Sequence, residues 1–432
     1  MNEQVQLNET ADCTEVPKMS LWSKHLILLM ASNCLVSMCM YFHNAVTTLF
    51  VTSIGGTASY AGVMLTLFTV SATVMRIVSG RLLDKKGRRR IILTGLVIYA
   101  VASATMMTGW LYYLAVARIL QAIGYSMATT GLSVAFTDVL PHNKMGEGLG
   151  YSGLTNSLSS ALGPVIAMSL YDVTKSYESV YLASAILVLI SFVITFVCRY
   201  ETDTEFFERK RAYELYHSGE VLRRMEEAQK KAAQAGKPSL INQYFEKMAI
   251  PSTIVSLFIS IGTGATVAYL MLYGTELNVP NASLFFTMQA VTTIVARLLC
   301  GKLSDKFNPL VSLLPGLLFT GIGYYMLVAG ASAHIFFYMA GAFIGFGAGI
   351  TGPALNAEAV KSVPENRRGA ASATYYISID VGIGIGGLLW GTIVDTIGFS
   401  FVFYGCVVCI IIAAILSLVF FLRSSSGARS SS

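Results

Sequence analysis

The chain has 432 residues, 54% of them hydrophobic and only 12% charged, with a mean hydropathy of +0.62. Soluble domains carry about 25% charged residues, so soluble enzymes, nucleic-acid binders and secreted modules are excluded and an integral membrane protein is implied. The formal charge of +6 does not argue for an anionic macromolecule as partner, because the basic residues gather in loops on one side of the expected membrane.

In chain order, residues 1–24 are polar, lack the apolar core of a cleavable signal, and read as a tail. A bilayer crossing takes roughly 20 apolar residues. Runs of that length predict helices at 25–51, 58–82, 91–109, 111–138, 146–171 and 178–199. Residues 200–249 then mix Arg209, Lys210, Arg211, Arg223, Arg224, Lys230 and Lys231 with Glu205, Glu208, Glu214, Glu226 and Glu227, the pattern of a solvated helical linker. Six further runs follow at 250–275, 283–304, 309–331, 334–360, 369–393 and 399–422, and residues 423–432 form a serine-rich tail. The expected architecture is an all-α integral membrane protein of twelve transmembrane helices, with six-helix bundles at 25–199 and 250–422 joined by the charged linker. Connections this short leave no room for an extramembrane catalytic domain.

Lys and Arg accumulate in cytoplasmic loops. Arg81 to Arg90, Lys144, the linker, Lys302, Lys306 and Lys361 to Arg368 all fall on one side, whereas the opposite loops contain essentially Lys175 alone. Both termini are therefore expected in the cytoplasm. The seven cysteines, odd in number and mostly inside apolar runs, show neither a disulfide framework nor a metal-binding CxxC pair.

The two halves repeat. Arg76, Gly80, Leu82 and Asp84 recur at an offset of 221 as Arg297, Gly301, Leu303 and Asp305, and Gly124 and Thr130 recur as Gly345 and Thr351. After a two-residue insertion, an offset of 223 carries Pro141 onto Pro364, Gly163 onto Gly386 and Asp172 onto Asp395. Repeated halves are common in transporters, and an even helix count per half predicts a pseudo-two-fold axis along the membrane normal.

Between the second and third helices lies Gly80-Arg-Leu-Leu-Asp84-Lys-Lys-Gly87-Arg88-Arg89-Arg90. Its glycines suit a tight turn and close helix approach. An anchor of positive charge accounts for the arginines but not for the spaced glycines or Asp84. This segment resembles the signature loop of the major facilitator superfamily. The resemblance covers about residues 20–422: Leu114, Arg118, Gln121 and Gly124 resemble the family's second motif, and Ala161, Leu162, Gly163 and Pro164 its antiporter motif. That last motif is incomplete, because the family's following glycine pair is replaced by Ala167 and Met168. Phe136, Asp138, Pro141 and the run Gly146 to Tyr151 resemble a bacterial branch of drug and sugar efflux permeases and opine-metallophore exporters. The resemblance implies a rocker-switch carrier of the bacterial inner membrane. Its expected partners are a small-molecule substrate, protons and the lipid bilayer, with no nucleic acid, no cofactor and no metal, and the expected state is a monomer. Gly80, Asp84, Gly87, Arg88, Arg89 and Asp138 form the expected gate. In it Asp84 caps the eleventh helix near Gly369, where unpaired amides favour a carboxylate, and Arg88 pairs with Asp138, holding the cytoplasmic side closed.

Ionisable residues at membrane depth are functional candidates, because a charge at the bilayer centre costs at least about 2.5–3.5 kcal/mol. Asp380 is the deepest, midway along the eleventh helix beside Gly382, Gly384, Gly386 and Gly387. Together with Arg118, whose role the resemblance implies, and His43, it forms the expected proton-coupling set. The expected substrate cavity takes His43, Asn44, Arg118, Gln121, Asn156, Tyr375, Tyr376 and Asp380, in the usual mixture of apolar walls and few polar groups. Arg76 and Arg297 lie near the cytoplasmic end and read as structural residues that snorkel; Glu276 and Glu358 are shallower candidates. The leading expectation is proton-coupled export of a small organic solute, with proton-coupled or facilitated uptake as the alternative. A membrane-embedded sensor would need a folded signalling domain, and an intramembrane enzyme a catalytic constellation; HExxH, GxSxG and Walker sequences are not found.

Overall fold

A computed structural model describes residues 20–141, 145–213, 246–304, 309–330, 333–361, 363 and 368–429. They form α1 (Lys24–Ser53), α2 (Ala58–Lys86), α3 (Arg88–Thr105), α4 (Leu111–Val139), α5 (Met145–Thr174) and α6 (Tyr177–Val197). After the linker come α7 (Ile250–Glu276), α8 (Leu284–Ser304), α9 (Pro309–Ala329), α10 (His334–Lys361), α11 (Arg368–Ile397) and α12 (Phe399–Arg429). Helix starts follow local chemistry: Ser23, Thr57 and Ser176 each accept a hydrogen bond from an amide in the first turn of α1, α2 and α6. Gly87, at φ 84°, ends α2 and starts α3 without a loop, so α3 begins at Arg88 rather than at 91. At the other end of the chain, α12 continues to Arg429 through most of the expected tail.

Among the described residues, ten helices are long and apolar enough to cross a bilayer. The other two, α5 and α8, are held by packing, α5 on α1 and α8, and α8 on α10 and α5. Outward surfaces are greasy: Val70, Val74 and Val78 on α2, Leu182, Ile186, Leu189 and Val193 on α6, and Val408, Ile411 and Ile415 on α12 are all exposed. In water such stripes would drive aggregation; lipid is the solvent they require. The chain is a multi-pass membrane protein.

The halves meet where α2 packs on α11, α5 on α8 and α1 on α7. These contacts obey the sequence repeat. Thr66 donates to the Gly384 carbonyl at 2.7 Å, and its repeat mate Thr287 donates to Ala161, the mate of Gly384, at 3.4 Å. Closure is concentrated on the side away from the basic loops. There Thr48 donates to the Ala268 carbonyl at 2.5 Å, Tyr269 to that of Ala58 at 3.4 Å, and the Ser59 amide to Asp395 at 2.9 Å. A Cβ on Gly62 would fall 2.0 Å from the Gly387 carbonyl oxygen and one on Gly391 2.8 Å from the Ser59 Cα, so the helices touch backbone to backbone. Toward the basic side the packing loosens: a Cβ on Gly153 of α5 would meet nothing within 4 Å, and Asn156 and Tyr376 are exposed.

The start of the expected linker is not a free tether. Glu201 accepts from the Arg88 and Arg89 amides at 2.6 and 3.2 Å, placing a carboxylate on the α3 N-terminus where the helix dipole favours it. Asp203 meets His25 at 2.9 Å and Lys24 at 3.5 Å, Lys210 donates to the Asp138 carbonyl at 2.7 Å, and Tyr200 and Tyr213 are buried. The remainder of the linker, residues 214–245, and the tail 1–19 lie outside the described residues. Hydrogen bonds from His25 and the Phe206 amide, with the Lys24 charge, hold the Asp203 carboxyl below the usual carboxylate range.

Two outcomes are expected. Gly62→Ala forces α2 and α11 apart and costs the closed arrangement about 1–3 kcal/mol, enough to change the conformer ratio about fivefold or more. Spin-label distances between the Gly55 and Gly398 turns should lengthen. Because the Asp203 carboxyl is depressed, its contribution to docking is complete above the unfolded value of about 3.9 and is lost as pH falls through the folded value. Protease sensitivity of the 200–213 segment should therefore stay flat from pH 8 to about 5 in the native protein and rise at pH 7 in Asp203→Asn.

Candidate functional site

The expected site residues divide into two sets that do not touch the same space. The first is sealed inside the N-terminal bundle. Arg118 on α4 is 2% exposed, donates from Nη1 to Gln121 Oε1 at 3.2 Å and lays its guanidinium over the Phe68 ring, 4.7 Å from the centroid. Gln121 Nε2 lies 3.2 Å from His43 Nε2, and the Ser184 hydroxyl lies 3.0 Å from the same nitrogen. His43, 1% exposed, stacks on Tyr181 with centroids 5.5 Å apart, and the Cys39 thiol sits 3.7 Å from its Nδ1. His43, Arg118 and Gln121 lie in the interior of one bundle in this structure: Arg118 and Gln121 of α4 point at α2 and α1, and His43 of α1 at α4 and α6, rather than at the partner half. Arginine without a carboxylate is costly at this depth; here a ring face and an amide stand in for the counter-charge. Asn44, partly buried beside this cluster, leaves Oδ1 without a hydrogen-bond partner.

The second set faces the other half. Asp380 of α11 lies 3.6 Å from the Arg76 Nε of α2, their side chains 18% and 38% exposed, with Thr73 alongside. Neither Asp380 Oδ2 nor Arg76 Nε is engaged in a hydrogen bond, so the two are held by charge alone. Arg76 is therefore not a snorkelling anchor: it turns inward and spans the halves. Its repeat mate Arg297 on α8 also crosses, donating from Nη1 to the Ser157 hydroxyl of α5 at 3.2 Å. Asn156, next to Ser157, accepts from the Tyr41 phenol at 3.4 Å. Tyr376 is exposed in the same central region, its hydroxyl 3.5 Å from Asn356 Nδ2, whereas Tyr375 is buried and donates to the Gly352 carbonyl at 3.0 Å. Sequence reasoning undervalued Arg76 and Arg297. A signal was present: Thr66, Thr69, Thr73 and Arg76 recur at three- and four-residue spacing, a polar stripe that an outward, lipid-facing surface would not carry.

In the signature loop, Arg88 Nε does pair with Asp138 Oδ2, at 3.1 Å. Both partners belong to the first half, however, so this bond cannot by itself fasten one half to the other, as had been expected of it. Arg89 donates to the Phe196 carbonyl at 2.5 Å and covers its ring. Gly80 has open space where a Cβ would stand. The side chain of Asp84 lies outside the described residues, and with it the expected cap on α11. Gly163 brings α5 against α1, since a Cβ there would fall 2.7 Å from the Tyr41 Cβ. Pro164 interrupts α5 one residue later.

Separating the two sets has a measurable consequence. Gln121→Leu strips a partner from both Arg118 and His43 and should lower stability by about 1–3 kcal/mol, read as a fall in the melting temperature of the full chain. Asn156→Ala, at an exposed position, should leave that temperature within about 0.5 kcal/mol of native stability.

The sequence profile of the Major Facilitator Superfamily matches residues 29–285 and 252–432. A staphylopine export protein of Staphylococcus aureus is 25% identical over 88% of this chain and 93% of its own length. An uncharacterised MFS-type transporter of Methanocaldococcus jannaschii is 23% identical over 86% and 92%. Among solved structures, a POT family transporter in complex with a thioalcohol-conjugated peptide superposes with a TM-score of 0.73 at 14% identity, covering 92% of this chain and 96% of that one. A nucleoside transporter gives 0.69 at 12%, covering 92% and 100%. With that profile spanning most of the chain, this chain belongs to the Major Facilitator Superfamily of membrane transporters.

Proposed function

We propose that the protein is a proton-coupled exporter of a small organic solute, a drug-like compound, sugar or metallophore, working by alternating access in a bacterial inner membrane with the basic side and both termini in the cytoplasm. The observation that carries this reading is the Arg76–Asp380 ion pair, which joins α2 to α11 at mid-depth. A carboxylate there is the link a proton can break. When Asp380 is charged, its attraction to Arg76 links the halves at mid-depth and favours the arrangement in which α2 and α11 are apposed there. A proton arriving from the opposite compartment neutralises the acid, removes that attraction and shifts the balance by the difference in its affinity for the two arrangements. Export is supported by the signature and antiporter-like motifs and by the name of the S. aureus relative, a staphylopine exporter. Arg118 and His43, sealed in one bundle, fit a supporting role in shaping that bundle better than direct proton exchange with either compartment.

Asp380→Asn should abolish uphill, proton-driven transport in proteoliposomes while exchange or downhill leak persists. If the variant still concentrates solute and a protonophore still collapses the gradient, protons travel by another group, with Glu358 the next candidate. Direction and solute are read by mass spectrometry of cells and medium with and without the protein: a compound retained inside cells that lack it identifies an export substrate.

A further inference from the structure

The repeat that relates Arg76 to Arg297 also relates their partners: an offset of 223 carries Ser157 onto Asp380. The two cross-half contacts, Arg76 with Asp380 at 3.6 Å and Arg297 with Ser157 at 3.2 Å, are therefore the same contact made twice, once with its carboxylate and once without. In the first, the arginine charge is neutralised by the opposite half. In the second, an exposed arginine on a membrane-embedded helix faces a serine, and no carboxylate of the described residues lies within ion-pair distance of it. A cation at such depth with only a hydroxyl for company is costly, and a chain that keeps it gains a vacant place for an anion.

What surrounds Arg297 suits one. Ser157, Asn156 and Tyr41 present a hydroxyl, an amide and a phenol from α5 and α1. Packing is loose at this level, with open space at Gly153 one turn away on α5. We infer that Arg297 binds a carboxylate of the transported solute, which takes the place that Asp380 fills in the mirrored contact. The guanidinium can hold such a group through two parallel N–H donors. The solute then bridges α8 of one half to α5 and α1 of the other, giving both mirrored interfaces a charge-neutral link and drawing the halves together around it. Binding energy is thereby placed where it biases the two arrangements differently, as alternating access requires. The anionic group need not be the solute's whole character; it is the handle that fixes its orientation.

This inference rests on the export reading, and the test separates the two. Cells expressing the native chain, Arg297→Gln, Arg297→Lys or Ser157→Asp, each checked for membrane yield and monodispersity, are compared with cells lacking the protein by mass spectrometry of medium and contents. The compounds whose export depends on the native chain are the probes. The expected result is that they carry a free carboxylate and lose export on methyl esterification. Arg297→Gln should cut their export by about tenfold or more, with Arg297→Lys recovering part of it. Ser157→Asp, which supplies the missing acid from the protein itself, should also block export while the chain stays folded. If the exported compounds are neutral or cationic, or if Arg297→Gln exports them at the native rate, the carboxylate site is wrong and the transport reading stands. If no compound depends on the native chain, the export reading fails and this site fails with it.

Discussion

Everything in this molecule is arranged around the difficulty of keeping charge inside a bilayer. The ionisable side chains at depth are few, and Arg76, Asp380 and Arg118 are each placed where a specific neighbour offsets the cost. Arg76 and Asp380 meet theirs by facing each other across the two halves at 3.6 Å. In a medium of low dielectric constant that attraction is far stronger than in water, yet it repays the desolvation only while both partners are charged. The pair is thus a charge link between the two halves, and it is this link that the proposed proton coupling would act on. Neighbouring contacts in the same interface, Thr66 with Gly384 and Tyr269 with Ala58, are hydrogen bonds between neutral groups.

Arg118 shows the alternative solution. Among the described residues it pairs with no acid, and the first bundle instead surrounds it with the Phe68 ring and with the relay from Gln121 to His43 and Ser184. The network is not fully satisfied, since Arg118 Nε has no hydrogen-bond partner and the Phe68 ring face offsets part of that cost. The proposed alternating access calls for bundles that move as bodies, and a polar cluster buried inside one bundle suits that requirement.

Much of this was legible in the sequence, because the strongest signals are one-dimensional. Helix positions follow from the lengths of apolar runs, and the pairing of halves from offsets of 221 and 223. Depth could be read from position along a helix, so Asp380 and Arg118 were both singled out. Azimuth could not: whether a residue faces its own bundle, the other half or lipid depends on rotation about the helix axis, which apolar-all-round helices do not reveal. His43 and Gln121 were placed in the cavity for that reason, and Arg297 was read as an anchor. Docking of Glu201 on the α3 N-terminus was equally hidden, since a glutamate in a charged segment looks like solvated surface until the amides it meets are seen.

The location of Arg88 and Asp138 within one half changes what the signature loop is able to do. A bond inside one bundle contributes the same energy whichever way the halves are rocked, unless its partners also touch the other half, so it stabilises the bundle rather than a conformer. Its ties run to the start of the linker: Glu201 holds the Arg88 amide, Lys210 holds the Asp138 carbonyl, and Asp203 holds His25 of α1. The loop between α2 and α3 is therefore a fastening for the segment that leaves toward the second half. That segment reaches the second bundle just before Ile250, where the Glu246 amide meets Thr374 of α11, the helix that bears Asp380. Conformational preference is left to the contacts that cross between halves. Those lie on α2 with α11, on α5 with α8 and on α1 with α7, and only the first carries an ion pair among the described residues.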